Sequence, residues 1–304
     1  MLPCPPQDAK QRRAMLSVLM EQPGLSAFEI NERVDALIGY ADRRGVSLEH
    51  CLCAMDRGEI VTACLCVDAP GRMSSVFLPS AASRLKPIDV VVGLLTEAAV
   101  LGKQRGLCIL QGSAAPEADL EAQVYKRASF EYLTRLIYME LDLTLPMGQI
   151  DRKRTTSFRQ YDTSMHALFS QVVQGTYEGS LDCVALNGIR DIEDVLASHR
   201  GTGKFDSGLW QMAMVENEPA GVILLSALPE RMACEVAYMG VLPSWRGKGV
   251  GKTLLSRGID LARERSLGTL TLSVDENNTP ALGLYRLWGF QESLQRDIWV
   301  RSLR

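Results

Sequence analysis

The chain has 304 residues, 46% hydrophobic and 23% charged, with a formal net charge of −3. That length suits two domains of ordinary size, and the composition favours folding over disorder. The near-neutral balance excludes a nucleic-acid footprint at the level of the whole chain, and no apolar run reaches the length of a membrane span.

The first residues, Met1-Leu-Pro-Cys-Pro-Pro-Gln-Asp8, lack the basic-then-apolar order of a signal peptide. A cytoplasmic location, with no membrane partner, is expected. Eight cysteines follow: Cys4, Cys51, Cys53, Cys64, Cys66, Cys108, Cys183 and Cys234. Cys51/Cys53 and Cys64/Cys66 each lie two apart in apolar, strand-like runs. Such neighbours share one face of a strand and read as buried thiols. Zinc sites favour a wider spacing and His partners. The three histidines, His50, His166 and His199, are scattered, so no metal is expected.

The chain repeats itself. Displaced by 160 residues, Leu94-Leu95 falls on Leu254-Leu255, Arg105 on Arg265, Leu107 on Leu267 and Leu110 on Leu270. Ser113 then falls on Ser273, Tyr125 on Tyr285 and Phe130 on Phe290. The residue types agree as well: helix, turn, strand, loop, helix, strand. Duplication of one unit explains this. Pro146, Gly148 and the charged run Asp151-Arg-Lys-Arg154 break the apolar pattern between Thr144 and Arg154. This seam predicts one domain over 1–145 and a second over 150–304.

In the second half, periodicity predicts helices over 164–174 and 189–197. Strands are predicted over 210–215, 220–227 and 233–241, the first two joined by a turn at Glu216-Asn-Glu-Pro219. A helix over 250–265 carries Val250, Leu254, Leu255, Gly258 and Ala262 on one stripe, and Gly268 follows it. A β-branched strand spans 269–274, a helix with Pro280 in its first turn spans 280–287, and a last strand covers 297–300. Hairpins followed by a strand–helix–strand unit make a mixed α/β sheet.

The densest signal is Val241-Leu-Pro-Ser-Trp-Arg-Gly-Lys-Gly-Val-Gly-Lys252. It reads as a strand end, a glycine turn and a helix start. Gly247, Gly249 and Gly251 leave the backbone amides bare, and a helix N-terminus offers unpaired donors. Arg246, Lys248 and Lys252 add charge. Such a corner suits a pyrophosphate. In the first half the matching positions are Lys86, Pro87, Asp89 and Val91. Pro87 has no N–H, Asp89 repels phosphate and Val91 blocks close approach. The first domain is therefore expected not to bind the same ligand in the same manner, but to support the second domain or shape its cleft.

The pattern Val-x-Pro-x-x-Arg-Gly-x-Gly-x-Gly precedes a helix and a strand, then Asn277, Leu284-Tyr285 and Gly289-Phe290. It resembles the GNAT (Gcn5-related) N-acetyltransferases. The resemblance covers residues 207–300 most specifically, extends over 150–206, and includes a degenerate copy over 60–143. It implies a tandem GNAT acyl-CoA N-acyltransferase fold and acetyl-CoA as co-substrate. It further implies that Arg246, Gly247, Lys248, Gly249, Val250, Gly251 and Lys252 surround the pyrophosphate. Met239, Gly240 and Val241 would then pair with the pantetheine arm, Asn277 would contact it from the other side, and Tyr285 would be the acid near the sulfur.

An alkylamine with a pKa of about 10.4 is mostly protonated at neutral pH, so a base or a water must take its proton before it attacks. Glu235 begins the strand that leads into the glycine turn and is the first candidate; Glu276 is the second, and both can also be plain surface carboxylates. Tyr285, protonated at neutral pH, can donate to a departing thiolate. Tyr125, its counterpart without a glycine turn, reads as packing. Cys183 and Cys234 read as buried thiols, which leaves direct attack by the amine as the route. The acceptor region implied is 171–203, with Tyr177, Glu178, Asp182, Asp191, Glu193 and Asp194. These carboxylates suit a cationic small molecule, or equally a solvated helix face. The loop 201–208 suggests a flap. A small amine acceptor is expected over a protein one, with the enzyme a monomer or homodimer. A P-loop reading fails because Arg246 stands where that signature needs Gly. A non-catalytic acetyl-CoA sensor or assembly module is the alternative function.

Overall fold

A computed structural model describes residues 3–80, 82–146, 156–186 and 188–304. Two compact units emerge: 1–134 with 296–304, and 135–295.

The first unit opens with α1 (Ala9–Met20), capped by Asp8, and α2 (Ala27–Arg44), which starts on a Ser26/Glu29 capping box and stops at Gly45 in the left-handed region. β1 (Cys51–Asp56), β2 (Glu59–Ala69) and β3 (Met73–Phe77) form an antiparallel meander. After α3 (Ile88–Gln104), β4 (Ile109–Ala114) pairs parallel to β3. α4 (Asp119–Arg127) follows. The sheet is covered on both faces. Val91, Leu94 and Leu95 of α3 pack with Leu52, Cys64 and Cys66; Met15 and Leu16 of α1 pack with Cys51 and Cys53. Each cysteine pair thus shares a face as its spacing predicts, and the two pairs point opposite ways. All eight thiols are free.

The second unit contains β5 (Glu131–Asp142) from Arg135 onward, β6 (Thr156–Gln160), α5 (His166–Thr176), α6 (Ile192–Gly201), β7 (Trp210–Val215), β8 (Glu218–Leu228) and β9 (Ala233–Val241). α7 (Val250–Glu264), β10 (Thr269–Asp275) and α8 (Thr279–Leu287) complete it, and β11 (Gln291–Ser302) begins in it. Its strand order is β5-β10-β9-β8-β7-β6. Leu254, Leu255 and Ile259 of α7 seal one face; Phe169 and Val173 of α5 and Leu196 of α6 seal the other against Trp210.

The domain boundary predicted at 145–150 does not coincide with these units. Leu136–Asp142 of β5 pairs antiparallel with β10, and Ile137, Met139 and Leu141 enter the second core. Asp297–Ser302 of β11 pairs antiparallel with β4, and Leu303 joins the first core. Each half of the chain lends its last strand to the other unit. Hydrophobic pattern marks a strand but not the edge it will fill, so the exchange was invisible in sequence. Of the predicted seam, residues 147–155 lie outside the described residues.

The repeat is plain in the structure. α4 and α8, and β5 and β11, are displaced by 160 residues end for end. Tyr125 tilts against Phe130 at 5.3 Å, and Tyr285 against Phe290 at 5.6 Å. The copies differ where α3 begins. Pro87 caps that helix without a side-chain bond, Asp89 is paired with Arg127, and Val91 is buried. Tyr125 fills the first unit, stacked on Trp299 at 6.0 Å and pressed on Gly112. A Cβ on Gly112 would fall 2.2 Å from the Tyr125 ring. Gly112→Ala is therefore expected to cost about 1–3 kcal/mol, read from the urea unfolding midpoint.

Candidate acyl-coenzyme site

β9 and β10 pair only at Ala233–Thr269, Cys234–Leu270 and Glu235–Thr271. Beyond that point β9 stays bonded to β8 as far as Val241, while β10 stays bonded to β5 as far as Asp275. The strands part into a V. From Val236 onward, β9 turns unladdered backbone groups toward the gap, and buried groups of that kind need a partner. A register shift against β8 between Leu224 and Leu225 leaves Ala237 out of the ladder, a bulge just where the strands part.

The V opens into a cleft of about 680 Å³. Met239, Gly240 and Val241 form one bank, Ser273 and Val274 the other, and Tyr285 lies at the side on α8. Gly240 admits Thr176 here: a Cβ would lie 2.5 Å from the Thr176 hydroxyl. At the far end stands the glycine turn. Gly247 has φ +72° and Gly249, the cap of α7, φ +85°, both in the left-handed region. The Thr253 amide reaches Gly249 O, but the amides of Val250, Gly251 and Lys252 open the helix with no turn before them to bond. A Cβ on Gly251 would stand 3.6 Å from Leu284 and 3.8 Å from Val241, narrowing the cleft.

The cleft assembles Met239, Gly240, Val241, Arg246, Gly247, Gly249, Gly251, Lys252 and Tyr285. It does not gather every residue singled out in the sequence. Lys248 lies over the Trp245 ring at 4.9 Å and lines a separate hollow beside Leu168 and Glu218. The Val250 side chain is buried in the core. Both the Asn277 amide and its Nδ2 donate to Asp275 Oδ1, at 2.9 and 3.0 Å. Asn278 lines the cleft instead, and caps α8 by accepting from the Ala281 amide. Two adjacent asparagines left the sequence ambiguous; the capping position, three residues before Ala281, was the available signal.

Arg246 is committed to the protein. Its Nε donates to Val241 O at 3.1 Å, Nη1 to Gly179 O at 3.0 Å and Nη2 to Thr176 O at 2.9 Å. Its amide donates to Pro243 O. Glu235 occupies the last paired position before the V, beside Thr271, and does not line the cleft. Burial pushes its carboxyl above the usual range, opposed by Arg231. Glu276 lies past the end of β10, its amide bonded to Arg135 O. Burial likewise raises the Tyr285 hydroxyl, with the Asp182 carboxyl adding to the shift, so the phenol keeps its proton.

Of the acceptor-side carboxylates, Asp191 caps α6 and Glu193 bonds His166 and Ser170. Asp182 alone among those six residues lines the cleft, its carboxyl raised by burial. Tyr177 packs edge-on to Tyr238, whose hydroxyl bonds Thr176 at 2.6 Å. His199, given no role in the sequence, stacks on Tyr238, and burial pulls it down to about 4. The loop 201–208 is anchored rather than free to act as a flap. The Lys204 amide bonds Ala227 O, Asp206 pairs with Arg265, and Phe205 packs on Trp210.

Residues 184–290 match the model of the acetyltransferase (GNAT) family. The whole chain overlays a GCN5-related N-acetyltransferase from Sphaerobacter thermophilus, with TM-score 0.64, 16% identity and 96% of that chain covered. It also overlays a tandem GNAT protein from the clavulanic acid biosynthesis pathway, with TM-score 0.54, 13% identity and 98% covered. The fold is a tandem GNAT fold. Among curated proteins, the mycothiol acetyltransferase of Thermobifida fusca is 34% identical over 102 residues, 32% of this chain and 28% of that protein. The mycothiol acetyltransferase of Beutenbergia cavernae is 26% identical over 282 residues, 89% of this chain and 82% of that protein. The chain thus spans under half the length of the first curated relatives it matches. No helix among the described residues is long and apolar enough to cross a membrane.

Proposed function

We propose that the second unit of this tandem GNAT protein binds acetyl-CoA and passes the acetyl group to a primary amine. The observation that carries this is the V between β9 and β10, running into the glycine turn. The free edge of β9 suits an extended amide-bearing arm, and the amides at the start of α7 suit a pyrophosphate. Lys252 supplies further charge. Two phosphates and a β-alanyl pantetheine arm meet those two requirements in one molecule.

The amine nitrogen attacks the thioester carbonyl, the carbon–sulfur bond breaks, and the thiolate takes a proton from the Tyr285 hydroxyl. The ammonium proton leaves beforehand to Glu235, through water because Glu235 stands outside the cleft. The attacking nitrogen, cationic once the new bond forms, gives up its second proton to solvent as the amide forms, and the phenolate takes one proton back from solvent. The first unit, with Pro87 and Asp89 where the turn should be, serves as a degenerate copy that does not take the coenzyme.

Thiol release from acetyl-CoA, measured across a panel of primary amines headed by mycothiol-related amines, tests the reading. Turnover with at least one amine supports it. Binding of acetyl-CoA with no turnover on any amine favours a coenzyme sensor, and absence of binding refutes the site. Glu235→Gln gives a finer check. In the parent, kcat/KM falls as pH drops through the raised Glu235 pKa, because the protonated carboxyl cannot accept. The Gln variant is expected to lose that acidic limb and about 10²-fold in kcat/KM at neutral pH.

A further inference from the structure

The segment Thr176–Cys183 hangs from both sides of the cleft. On the coenzyme side, the Arg246 guanidinium bonds Thr176 O and Gly179 O while its Nε holds Val241 O. Arg246 stands beside Gly247, so one side chain bridges the turn, the end of β9 and the segment. Gly179, at φ +59°, sits close under it; a Cβ there would lie 3.2 Å from Nη1. On the other side, Asp275 Oδ2 accepts from the Cys183 amide at 3.0 Å, and the Asp275 amide donates to Asp182 Oδ1 at 3.3 Å. Asp275 is buried at the end of β10. Between the two anchors, Ser180, Leu181 and Asp182 line the cleft.

Two bonds from one guanidinium to carbonyls of the segment, with a third to the end of β9, fix the path of the segment against the turn, because the planar fork holds its donors in set directions. The segment has no regular structure of its own between α5 and the turn at Val184–Leu186. Thr176 and Tyr177 also rest on Tyr238, and Arg246 and Asp275 tie the remainder to the two banks of the cleft.

We propose that Arg246 and Asp275 are positioning residues that strap Thr176–Cys183 across the cleft, so that the coenzyme turn and the acceptor-side wall move as one body. This rests on the reading of the cleft as an acetyl-CoA site. It gives Arg246 a task different from holding phosphate: filling the coenzyme turn steadies the wall that the amine must pass.

Cys183 reports on the strap directly, because its amide is one of the tied groups and its thiol is half-buried. The intact chain is treated with iodoacetamide, with and without acetyl-CoA, and labelling of Cys183 and of Cys234 is followed by peptide mass spectrometry. Cys234 is fully buried in the core of the same unit and reports global opening. In the parent, Cys183 is expected to label slowly and more slowly still with acetyl-CoA. In Arg246→Ala and in Asp275→Ala, which removes the acceptor for the Cys183 amide, Cys183 labelling is expected to rise about tenfold with Cys234 unchanged. In Arg246→Ala the protection by acetyl-CoA is expected to vanish.

Cys183 labelling unchanged in both variants overturns the strap. If Cys234 rises in step with Cys183, Arg246→Lys decides, since a lysine keeps the charge but cannot span three carbonyls. Faster Cys183 labelling alone in that variant supports the strap. A weaker acetyl-CoA Kd by calorimetry with Cys183 still shielded makes Arg246 a phosphate ligand instead. If the parent does not bind acetyl-CoA at all, the functional reading fails, while the labelling without ligand still tests the anchors.

Discussion

Tyr285→Phe is expected to lower kcat by about 10²–10⁴-fold while acetyl-CoA Kd stays within about twofold. The ring packs against Phe290 and at the side of the cleft, and phenylalanine keeps that packing. Only the hydroxyl is lost. Burial and the neighbouring Asp182 hold the phenol above its usual range. Its ionisation therefore sets no basic limb near neutral pH, and the variant's loss is expected to be uniform from pH 6 to pH 9. A substituted enzyme with unchanged kcat would remove Tyr285 from the chemistry and leave it a packing residue, as Tyr125 is in the first unit.

Gly249→Asp is expected to weaken acetyl-CoA by about 100-fold or more, read by calorimetry, and to lower the melting temperature by about 2–8 °C. Two effects add. The cap sits at φ +85°, where an L side chain costs about 1–2 kcal/mol, so the unliganded turn relaxes away from that shape and binding has to restore it. The new carboxylate also faces the place proposed for a diphosphate, close to the bare amides of α7. Gly249→Ala isolates the first effect and is expected to lose only about tenfold. Asp89→Gly, at the matching position of the first unit, is expected to leave acetyl-CoA affinity unchanged. There it breaks only the exposed pair with Arg127, a contact of small worth. Equal losses in both units would show the coenzyme bound somewhere other than the turn.

Much of the second unit was legible because its strands alternate and its helices carry clean stripes. The spans predicted at 210–215 and 233–241 match β7 and β9 residue for residue. The glycine turn was legible for a different reason: glycine alone takes φ +72° and +85° without steric cost, so the backbone leaves its mark in the sequence. β6 carries no alternation, with Ser157, Arg159 and Gln160 around a single Phe158, and went unnoticed. What sequence could not show was the use of each polar group. Arg246 and Asn277 look free in a string of letters, yet one is spent on three carbonyls and the other on Asp275. Asp182 looks like one acidic residue among several until the fold brings it to the cleft.

The exchange of β5 and β11 bears on how the molecule is made. During synthesis, β4 emerges with its neighbouring edge position empty, and the strand that fills it leaves the ribosome only after every residue of the second unit. Meanwhile β5, the repeat's counterpart of β11, is already at hand. β5 is drawn into the second unit by β10, so β4 keeps an open edge, a template for unwanted strand pairing, while the second unit is made. Completion of the N-terminal sheet is thus timed by a strand translated after the whole of the second unit.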